Sequence, residues 1–310
     1  MKNIFTQILV VFALITIVSC SKFADGVVHV VAFPDHTPRL AVTVISGDND
    51  TTLIAQVTST ASVLDADGPQ PVQGAVITLK LGEDAILYSM VEEDYTDFLY
   101  KLNLDETFGH YQGTMTLNVD APGFDPVTAT TEMPAKPEVE FTYVSQSDTL
   151  STPWTGEIIQ DSFTLNLVNN PDVDDTYLIY VDALYLDPYT LDTIGWKNVS
   201  LMTRNDPRIS QHNTSGGLII SDETASSNSD GLSELMFLSE SFIDQSKWSP
   251  VSLRLRVEAL SPELAKYYVS TDSYLNGGFD LFAEPSLIYS NISSGFGCFG
   301  LSSQTIVVVN

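Results

Sequence analysis

The sequence predicts a mainly β protein with two β-sandwich-like domains, the first immunoglobulin-like, and one short helix near residues 262–275 in the second. Three observations predict this fold. Hydrophobic and polar residues alternate along short segments, turn-forming residues separate those segments, and the stretch after Ser261 has helical spacing. The 310 residues are 44% hydrophobic and 17% charged, which allows real cores and excludes a disordered chain.

The predicted strands show the two-residue period of a sheet with one buried and one exposed face. In segment 111–119, Met115 and Leu117 fall on one face, and Thr114 and Thr116 fall on the other. The same alternation recurs in segments 75–81, 163–167 and 251–259. Turn-forming sequences separate the strands at residues 47–50, 67–69, 121–123, 169–171 and 276–278.

The predicted helix has both a start signal and the right spacing. Ser261 can cap its N terminus, Pro262 occupies the first helical position, and Glu263 stands in the first turn. Leu264 and Tyr268, together with residues 267 and 275, then recur near every 3.6 residues. The pattern therefore predicts a helix over about 262–275.

The first twenty residues have the three parts of an export signal. Lys2 is basic, residues 8–18 are apolar apart from one threonine, and Ser19 precedes Cys20. The apolar run is shorter than the ~20 residues that span a bilayer, so it predicts a cleaved signal peptide. Residues 17–20, Ile-Val-Ser-Cys, resemble the bacterial lipobox, which implies cleavage between Ser19 and Cys20 and lipidation of Cys20. An ordinary cleaved signal with a chance cysteine is the alternative.

A lipidated Cys20 predicts a stable membrane anchor, because two or more acyl chains hold a protein where one does not. Cys298, the second of two cysteines, would then have no disulfide partner. Its apolar surroundings in the sequence Phe-Gly-Cys-Phe indicate a buried, inert thiol.

Residues 133–137, Met-Pro-Ala-Lys-Pro, form the best domain boundary in the chain. Two prolines in so short a segment disfavour both a helix and a central strand. We therefore predict five regions along the chain, which are a signal peptide (1–19), a lipidated tether (20–26), an immunoglobulin-like β-sandwich (27–132), a linker (133–137) and a second β-rich domain with the helix (138–310).

The charge of the chain excludes one class of partner. Thirteen Lys and Arg against forty Asp and Glu give a net charge of −27. Nucleic acid is not a predicted partner, because phosphate binding depends on basic residues that release counterions. Direct binding to anionic lipid headgroups is disfavoured for the same reason.

Several sequence blocks carry a resemblance to a known family. They are 38–42 (PRLAV), 72–79 (VQGAVITL), 118–124 (NVDAPGF), 260–268 (LSPELAKYY), 282–285 (FAEP), 289–292 (YSNI) and 295–300 (GFGCFG). Over nearly the whole mature chain, the sequence resembles the domain-of-unknown-function 4249 family of Bacteroidota outer-membrane lipoproteins. The block from Tyr267 to Gly300 is the most specific part of that resemblance.

The resemblance implies a lipoprotein with an immunoglobulin-like first half and a second β-domain, encoded near TonB-dependent outer-membrane receptors. It implies no catalytic residue and no ligand. Surface-exported lipoproteins of that phylum often carry acidic residues just after the lipidated cysteine. Residues 21–25, Ser-Lys-Phe-Ala-Asp, have a lysine and one late acid, so the facing of the anchor stays open.

No catalytic residue or cofactor is predicted. The glycines of Gly-x-Gly-x-x-Gly at 295–300 precede a strand-like run and not a helix, so they do not form a dinucleotide site. Closely approaching backbones or a bulge, with Phe296 and Phe299 packed in, explain these glycines better. The four histidines have no metal-ligand spacing, and neither a Cys-x-x-Cys motif nor a nucleophile elbow occurs.

No metal site is predicted, although one acidic loop is a weak calcium candidate. Asp172, Asp174 and Asp175 cluster after a turn sequence, and clustered carboxylates suit hard cations. A solvated acidic loop is the preferred interpretation. Asp65-Ala-Asp67-Gly68 begins like a calcium loop but lacks the acid at position twelve, so it is interpreted as a turn.

Aromatic residues of the second half provide a candidate ligand surface at Tyr185, Tyr189 and Trp196. Pro188 breaks the strand beside the two tyrosines and favours their exposure. Exposed rings of this kind would form a platform for a carbohydrate or a peptide. The alternative is ordinary sheet packing, in which aromatic residues are common.

Together these observations predict a non-enzymatic lipoprotein anchored in the outer membrane, at its periplasmic face or at the favoured cell surface. Its expected role is that of an accessory or binding subunit beside a TonB-dependent transporter or another outer-membrane barrel. The alternative is a surface glycan- or peptide-binding protein, or a hydrolase, with a site of loop carboxylates and tyrosines in the second domain.

Overall fold

Three β-sheets and two helices make up the part of the chain that the computed structural model describes. The described residues are 35–62, 64–82, 87–92, 99–152, 156–168, 175–186, 190, 192–199, 201–203, 209–212, 216–221, 232–240, 250–277 and 286–309. The described residues from Pro38 onward form one compact unit.

The elements of the first part are β1 (Leu40–Gly47), β2 (Thr52–Ser59), β3 (Gln70–Pro71), β4 (Val76–Leu81), β5 (Leu87–Ser89), β6 (Val91–Glu92), β7 (Leu99–Asn103), α1 (Glu106–His110), β8 (Thr114–Asp120) and β9 (Val127–Glu132). Those of the second part are β10 (Val139–Thr152), β11 (Gly156–Val168), β12 (Thr176–Leu186), β13 (Thr193–Asn198), β14 (Met202–Thr203), β15 (Ile209–Gln211), β16 (Leu218–Ser221), β17 (Leu232–Glu240), β18 (Pro250–Leu260), α2 (Pro262–Gly277) and β19 (Phe296–Val309).

The largest sheet has eleven strands and belongs to both parts of the chain. Its main path is β15-β16-β12-β18-β19-β1-β2-β7-β6, with β13 paired to β12 and β3 paired to β2. The two smaller sheets have four strands each, in the orders β5-β4-β8-β9 and β10-β11-β17-β14. Each small sheet packs against one half of the large sheet, so the molecule contains two sandwiches.

The first sandwich closes around side chains from β1, β2, β4, β8 and β9. Val42 and Leu53 of the large sheet and Ile77 and Leu117 of the small sheet belong to one buried cluster. In β1 and β9 every second residue is buried, as the two-residue period predicts. These two packed sheets are what the immunoglobulin-like prediction requires.

The second sandwich repeats this arrangement with β11 packed against β12 and β18. Phe163 and Leu165 belong to one buried cluster with Val181 and Leu255. The alternation that predicted a strand over 251–259 is confirmed, because Leu253, Leu255 and Val257 face this core. The predicted fold class, mainly β with two sandwich-like parts and one helix in the second, is therefore confirmed.

Strand β19 joins the two sandwiches. It pairs in parallel with β1, from Ala41 with Phe296 to Gly47 with Ser302, and antiparallel with β18. Phe299 is fully buried in the first core, as expected, but Phe296 is 48% exposed. The expectation that both rings pack inward was wrong, because Phe296 and Phe299 are an odd number of residues apart and face opposite sides of the sheet.

Helix α2 covers the other face of the large sheet. Leu264 and Ala265 pack with Leu178 and Cys298 in a third buried cluster. Ser261 caps the helix, with its Oγ accepting from Leu264 N at 3.4 Å and from Leu301 N at 3.1 Å. The helix predicted over about 262–275 is confirmed, and it extends to Gly277.

The predicted linker, residues 133–137, has no regular structure and lies along β19. Ser303 Oγ donates to Pro134 O and Thr305 Oγ1 donates to Pro137 O, each at 2.6 Å. Lys136 Nζ lies 2.8 Å from Asp48 Oδ2. The division into 27–132 and 138–310 stays a prediction, and the structure adds that the last strand pairs with both parts.

Within the described ranges, neither helix combines the length and the apolar character that crossing a membrane requires. The signal peptide of residues 1–19 and the tether of residues 20–26 lie outside the described residues.

Candidate functional site

A group of polar and aromatic side chains lies on the large sheet, on the side that α2 covers. We call this group the arginine–aspartate face, and its residues are Tyr180, Asp182, Trp196, Arg254, Arg256 and Glu258. Strand pairing assembles it, because Arg254 lies opposite Asp182 and Arg256 lies opposite Tyr180. Residues two apart along β12 and β18 point to the same side, and the intervening residues fill the second core.

Asp182 is the centre of the arginine–aspartate face. Its side chain is 5% exposed, and its Oδ2 accepts from Arg254 Nε at 2.9 Å and from Arg256 Nε at 2.8 Å. A buried carboxylate is stable only when its charge is paired and hydrogen-bonded, and the two arginines supply both. Asp182 thus fixes the positions of the two guanidinium groups.

Aromatic rings hold each guanidinium from a second direction. Arg254 Cζ lies 4.5 Å from the centroid of the Trp196 ring, and Arg256 Cζ lies 4.4 Å from that of Tyr180. Both distances are within the range of cation–π attraction. Each arginine is therefore held by Asp182 and by one aromatic ring, which restricts its rotamers.

Glu258 extends the row of charges toward α2. Arg256 Nη1 lies 3.5 Å from Glu258 Oε1. Burial raises the pKa of the Glu258 carboxyl, Arg256 lowers it, and the carboxylates of Asp50, Asp48 and Asp182 raise it further. Arg256 thus compensates in part for placing this acid among like charges.

The open end of the arginine–aspartate face is rimmed by apolar residues of β19. Ile306 pairs with Arg256 and Val308 pairs with Arg254, and the two side chains are 45% and 52% exposed. Arg254 is itself 28% exposed and makes its hydrogen bond through Nε. Its terminal nitrogens can donate to a carboxylate or carbonyl of a partner while Ile306 and Val308 contact apolar groups.

A second polar group closes the end of the face beside the helix. His212 Nδ1 lies 3.1 Å from Asp272 Oδ1, and the His212 ring lies 4.6 Å from that of Tyr268. His212 and Asp272 are both buried. Burial raises the pKa of the Tyr268 hydroxyl, and the neighbouring Tyr180 and Glu258 raise it further. This group ties the β15–β16 turn to α2.

The predicted ligand surface is described in part. Trp196 is half-buried and contributes to the arginine–aspartate face. The backbone of Tyr185 on β12 pairs with Gly195 on β13, and Trp196, the next residue of β13, pairs with Leu184. Tyr189 lies outside the described residues. That these three residues form a ligand surface stays a prediction.

The other predicted site residues are described less fully. Ser19 and Cys20 lie outside the described residues, as do Asp172 and Asp174. Asp175 is described, and its Oδ2 accepts from Tyr177 Oη at 3.3 Å. The described part of the chain contains no group of three potential metal ligands, and calcium binding stays an untested hypothesis.

Asp182 was not predicted from the sequence as the centre of the arginine–aspartate face. The signal was present, since Asp182 is the one charged residue in the run Tyr177–Leu184 and falls in phase with Tyr180. The alternation of β18 likewise placed Arg254, Arg256 and Glu258 on one polar face. What the sequence could not provide was the pairing register between two strands about 70 residues apart.

Two sandwiches that share one sheet define this chain as a β-sandwich protein. The family model described as "Domain of unknown function (DUF4249)" matches residues 30–306. The chain therefore belongs to this family, as its sequence blocks predicted. Curated proteins include none that matches it.

Two solved structures resemble the chain weakly. They are BcpA, the major pilin subunit of Bacillus cereus (11% identity, 73% of this chain, 64% of that chain), and Sidekick-1 immunoglobulin domains 1–5 (10% identity, 74% and 57%), each with a TM-score of 0.19. The chain spans less than two thirds of the length of each. Because both TM-scores are low, the description of the fold rests on the sheets of this chain and not on the two neighbours.

Proposed function

We propose that this protein is a non-enzymatic lipoprotein of the outer membrane that acts as an accessory or binding subunit. Its partner is a TonB-dependent transporter or another outer-membrane barrel. The observation that carries this proposal is the export signal ending in Ile-Val-Ser-Cys20, followed by a chain that folds into sandwiches. The anchor brings the sandwiches to the membrane, with the cell surface favoured over the periplasmic face.

The arginine–aspartate face supports a role in binding. Arginine and tryptophan dominate the energetics of many protein interfaces, particularly where they are held rigidly beside apolar residues. Trp196, Arg254, Ile306 and Val308 have these properties together. The charged oxygens of the face serve as structural partners, because Asp182 and Glu258 are engaged by arginines.

The anchor is tested with the variant Cys20→Ala, expressed in the native host and fractionated after a carbonate wash. We expect the wild type in the membrane fraction and the variant in the soluble fraction. Cys298→Ala is the matched control, since it removes the other thiol and should stay in the membrane. A Cys20→Ala protein that remains membrane-bound would contradict the lipoprotein assignment.

A second candidate function is that of a surface glycan- or peptide-binding protein or a hydrolase. It is favoured by Trp196, a half-buried aromatic ring on β13. Against it, Arg254 stacks on the Trp196 ring and occupies ring surface that a sugar would need. Glycan and peptide arrays probed with the wild type and with Trp196→Ala distinguish the two functions. Glycan binding that requires Trp196 would favour this second candidate, whereas peptide binding through Trp196 is expected of the accessory subunit as well.

A further inference from the structure

We propose that strand β10 is a docking edge that accepts one more β-strand from a basic, extended segment of a partner protein. This inference goes beyond the proposed function and does not depend on the lipid anchor. It rests on the edge of β10 that no described strand pairs with, on the length of β10 compared with the other described edge strands, and on the charge around β10.

β10 is an unusually long sheet edge for this molecule. It has 14 residues and stands at the end of the sheet β10-β11-β17-β14. On one side it pairs with β11, and among the described residues no hydrogen bond reaches its other side. Every second residue of an antiparallel edge strand directs its N–H and C=O outward, which provides a template for another strand.

Each of the other described edge strands is shorter than β10. Strands β3, β5, β6, β14 and β15 have two or three residues each, and β13, which among the described strands pairs with β12 alone, has six. The edge of β9 is longer but is covered by the chain itself. Ser293 Oγ accepts from Thr128 N at 2.9 Å, Ser293 N donates to Thr128 O at 2.9 Å, and Asn291 Nδ2 donates to Thr130 O at 3.3 Å. Such coverage is how proteins protect strand edges.

The first part of β10 is held firmly in position. Phe141 stacks on Phe163 with ring centroids 5.9 Å apart, and Tyr143 Oη donates to Asp161 Oδ2 at 2.9 Å. The register shifts between Val144 and Asp148, which ends the regular stretch. The docking edge is therefore Val139–Val144, whose backbone is ordered before a partner arrives and so costs little entropy on binding.

Charge and side-chain direction specify the partner. Phe141 and Tyr143 face the core, whereas Glu140, Thr142 and Val144 face solvent, as does the preceding Glu138. A strand with Lys or Arg beside Glu140 gains a favourable cross-strand pair. A second copy of this chain is a poor occupant, because two chains of net charge −27 repel each other.

The test uses the detergent-solubilised full chain and a short synthetic peptide that alternates lysine with valine or threonine. Hydrogen exchange measured by mass spectrometry should show new protection in residues 139–144. The same peptide with alternate backbone nitrogens methylated should not bind, because it cannot form the ladder of hydrogen bonds. The variant Glu140→Lys should weaken binding about tenfold, since it turns an attractive pair into a repulsive one.

Asp120→Lys is the matched control. It makes the same charge change at an exposed position of β8, a strand paired on both sides, and should leave peptide binding unchanged. Equal binding of the methylated peptide, protection outside residues 139–144, or no binding at all would overturn the proposal. None of these outcomes bears on the anchor, so this proposal and the proposed function can fail independently.

Discussion

Gly297 and Gly300 allow different neighbours to approach β19. At Gly297 the backbone has a φ of +109°, and a Cβ would lie 2.0 Å from Val42 O of the parallel strand β1. At Gly300 a Cβ would lie 2.7 Å from the Leu264 Cβ of α2. Gly297 thus lets strand β1 pack closely on β19, and Gly300 lets helix α2 do so. These two glycines allow β19 to contact a strand and a helix at once.

The variant Gly297→Ala separates close approach from backbone strain. We expect it to lower the free energy of unfolding by roughly 3 kcal/mol or more, because β1 must move in addition to the strain of a positive φ. Gly68→Ala is the control, with a φ of +66° and no atom within 4 Å of the added Cβ. Gly68→Ala should lower the free energy of unfolding by only about 1 kcal/mol. Urea unfolding measures both, and equal losses would contradict the close approach.

The reason for these glycines was predictable from the sequence, but the residues that they contact were not. Three glycines in six residues before a strand-like run predicted close backbone approach, which the structure confirms. That Gly297 meets Val42 depends on a pairing across about 250 residues, which no local pattern encodes. Asp182 was missed for the same reason, since its importance comes from arginines on another strand.

At the scale of elements, α2 was predictable because its signals are local. Ser261, Pro262 and Glu263 marked its start, and the structure begins the helix at Pro262. The two-residue period also predicted strands over 75–81, 163–167 and 251–259, which the structure confirms, and one over 111–119, which begins at Thr114 in the structure. Their order was not predictable, because strand order depends on long-range pairing and the large sheet runs through both parts of the chain.

The packing of α2 on β19 is tested by Leu264→Ala. Leu264 is 1% exposed and packs against β19 at Gly300, where there is no side chain. Removing the Leu264 side chain should therefore lower the free energy of unfolding by about 3 kcal/mol. Val269→Ala is the control on the same helix, because Val269 is 48% exposed. It should change stability by less than about 0.5 kcal/mol. Similar losses in both variants would show that α2 does not pack as described.

At the scale of the whole molecule, the shared sheet couples the two sandwiches. β19 contributes Phe299 and Leu301 to the first core and Cys298 to the cluster beneath α2. It also pairs with β18, whose other face fills the second core. Loss of β19 would therefore expose apolar side chains of every cluster, so we expect the described unit to unfold cooperatively.

Alkaline pH should destabilise the whole fold through its buried acids. Burial raises the pKa of the Cys298 thiol from 9.0 to about 12, with Glu263 adding to the effect. The contribution of the Cys298 thiol to the free energy of unfolding is complete below pH 9 and is lost as pH rises toward 12. Between these pH values the thiol ionises in the unfolded chain but not in the folded chain. The pKa of Tyr143 is raised too, by burial and by its hydrogen bond to Asp161.

Urea unfolding between pH 8 and pH 12 measures this loss in the wild type and in Cys298→Ala. The variant should lose stability less steeply with rising pH, whatever its stability at neutral pH. Tyr143→Phe should likewise reduce the slope above pH 10. Identical slopes in all three proteins would show that these groups ionise as readily in the folded chain as in the unfolded chain.

The most direct test of the proposed function is a mild-detergent purification of the tagged, lipidated protein from native outer membranes. We predict that a β-barrel protein co-purifies in stoichiometric amounts with the wild type and is lost from the double variant Trp196→Ala, Arg254→Ala. Recovery of the wild type without any partner would contradict the role of accessory subunit. Equal recovery of a barrel with both proteins would contradict the assignment of binding to the arginine–aspartate face.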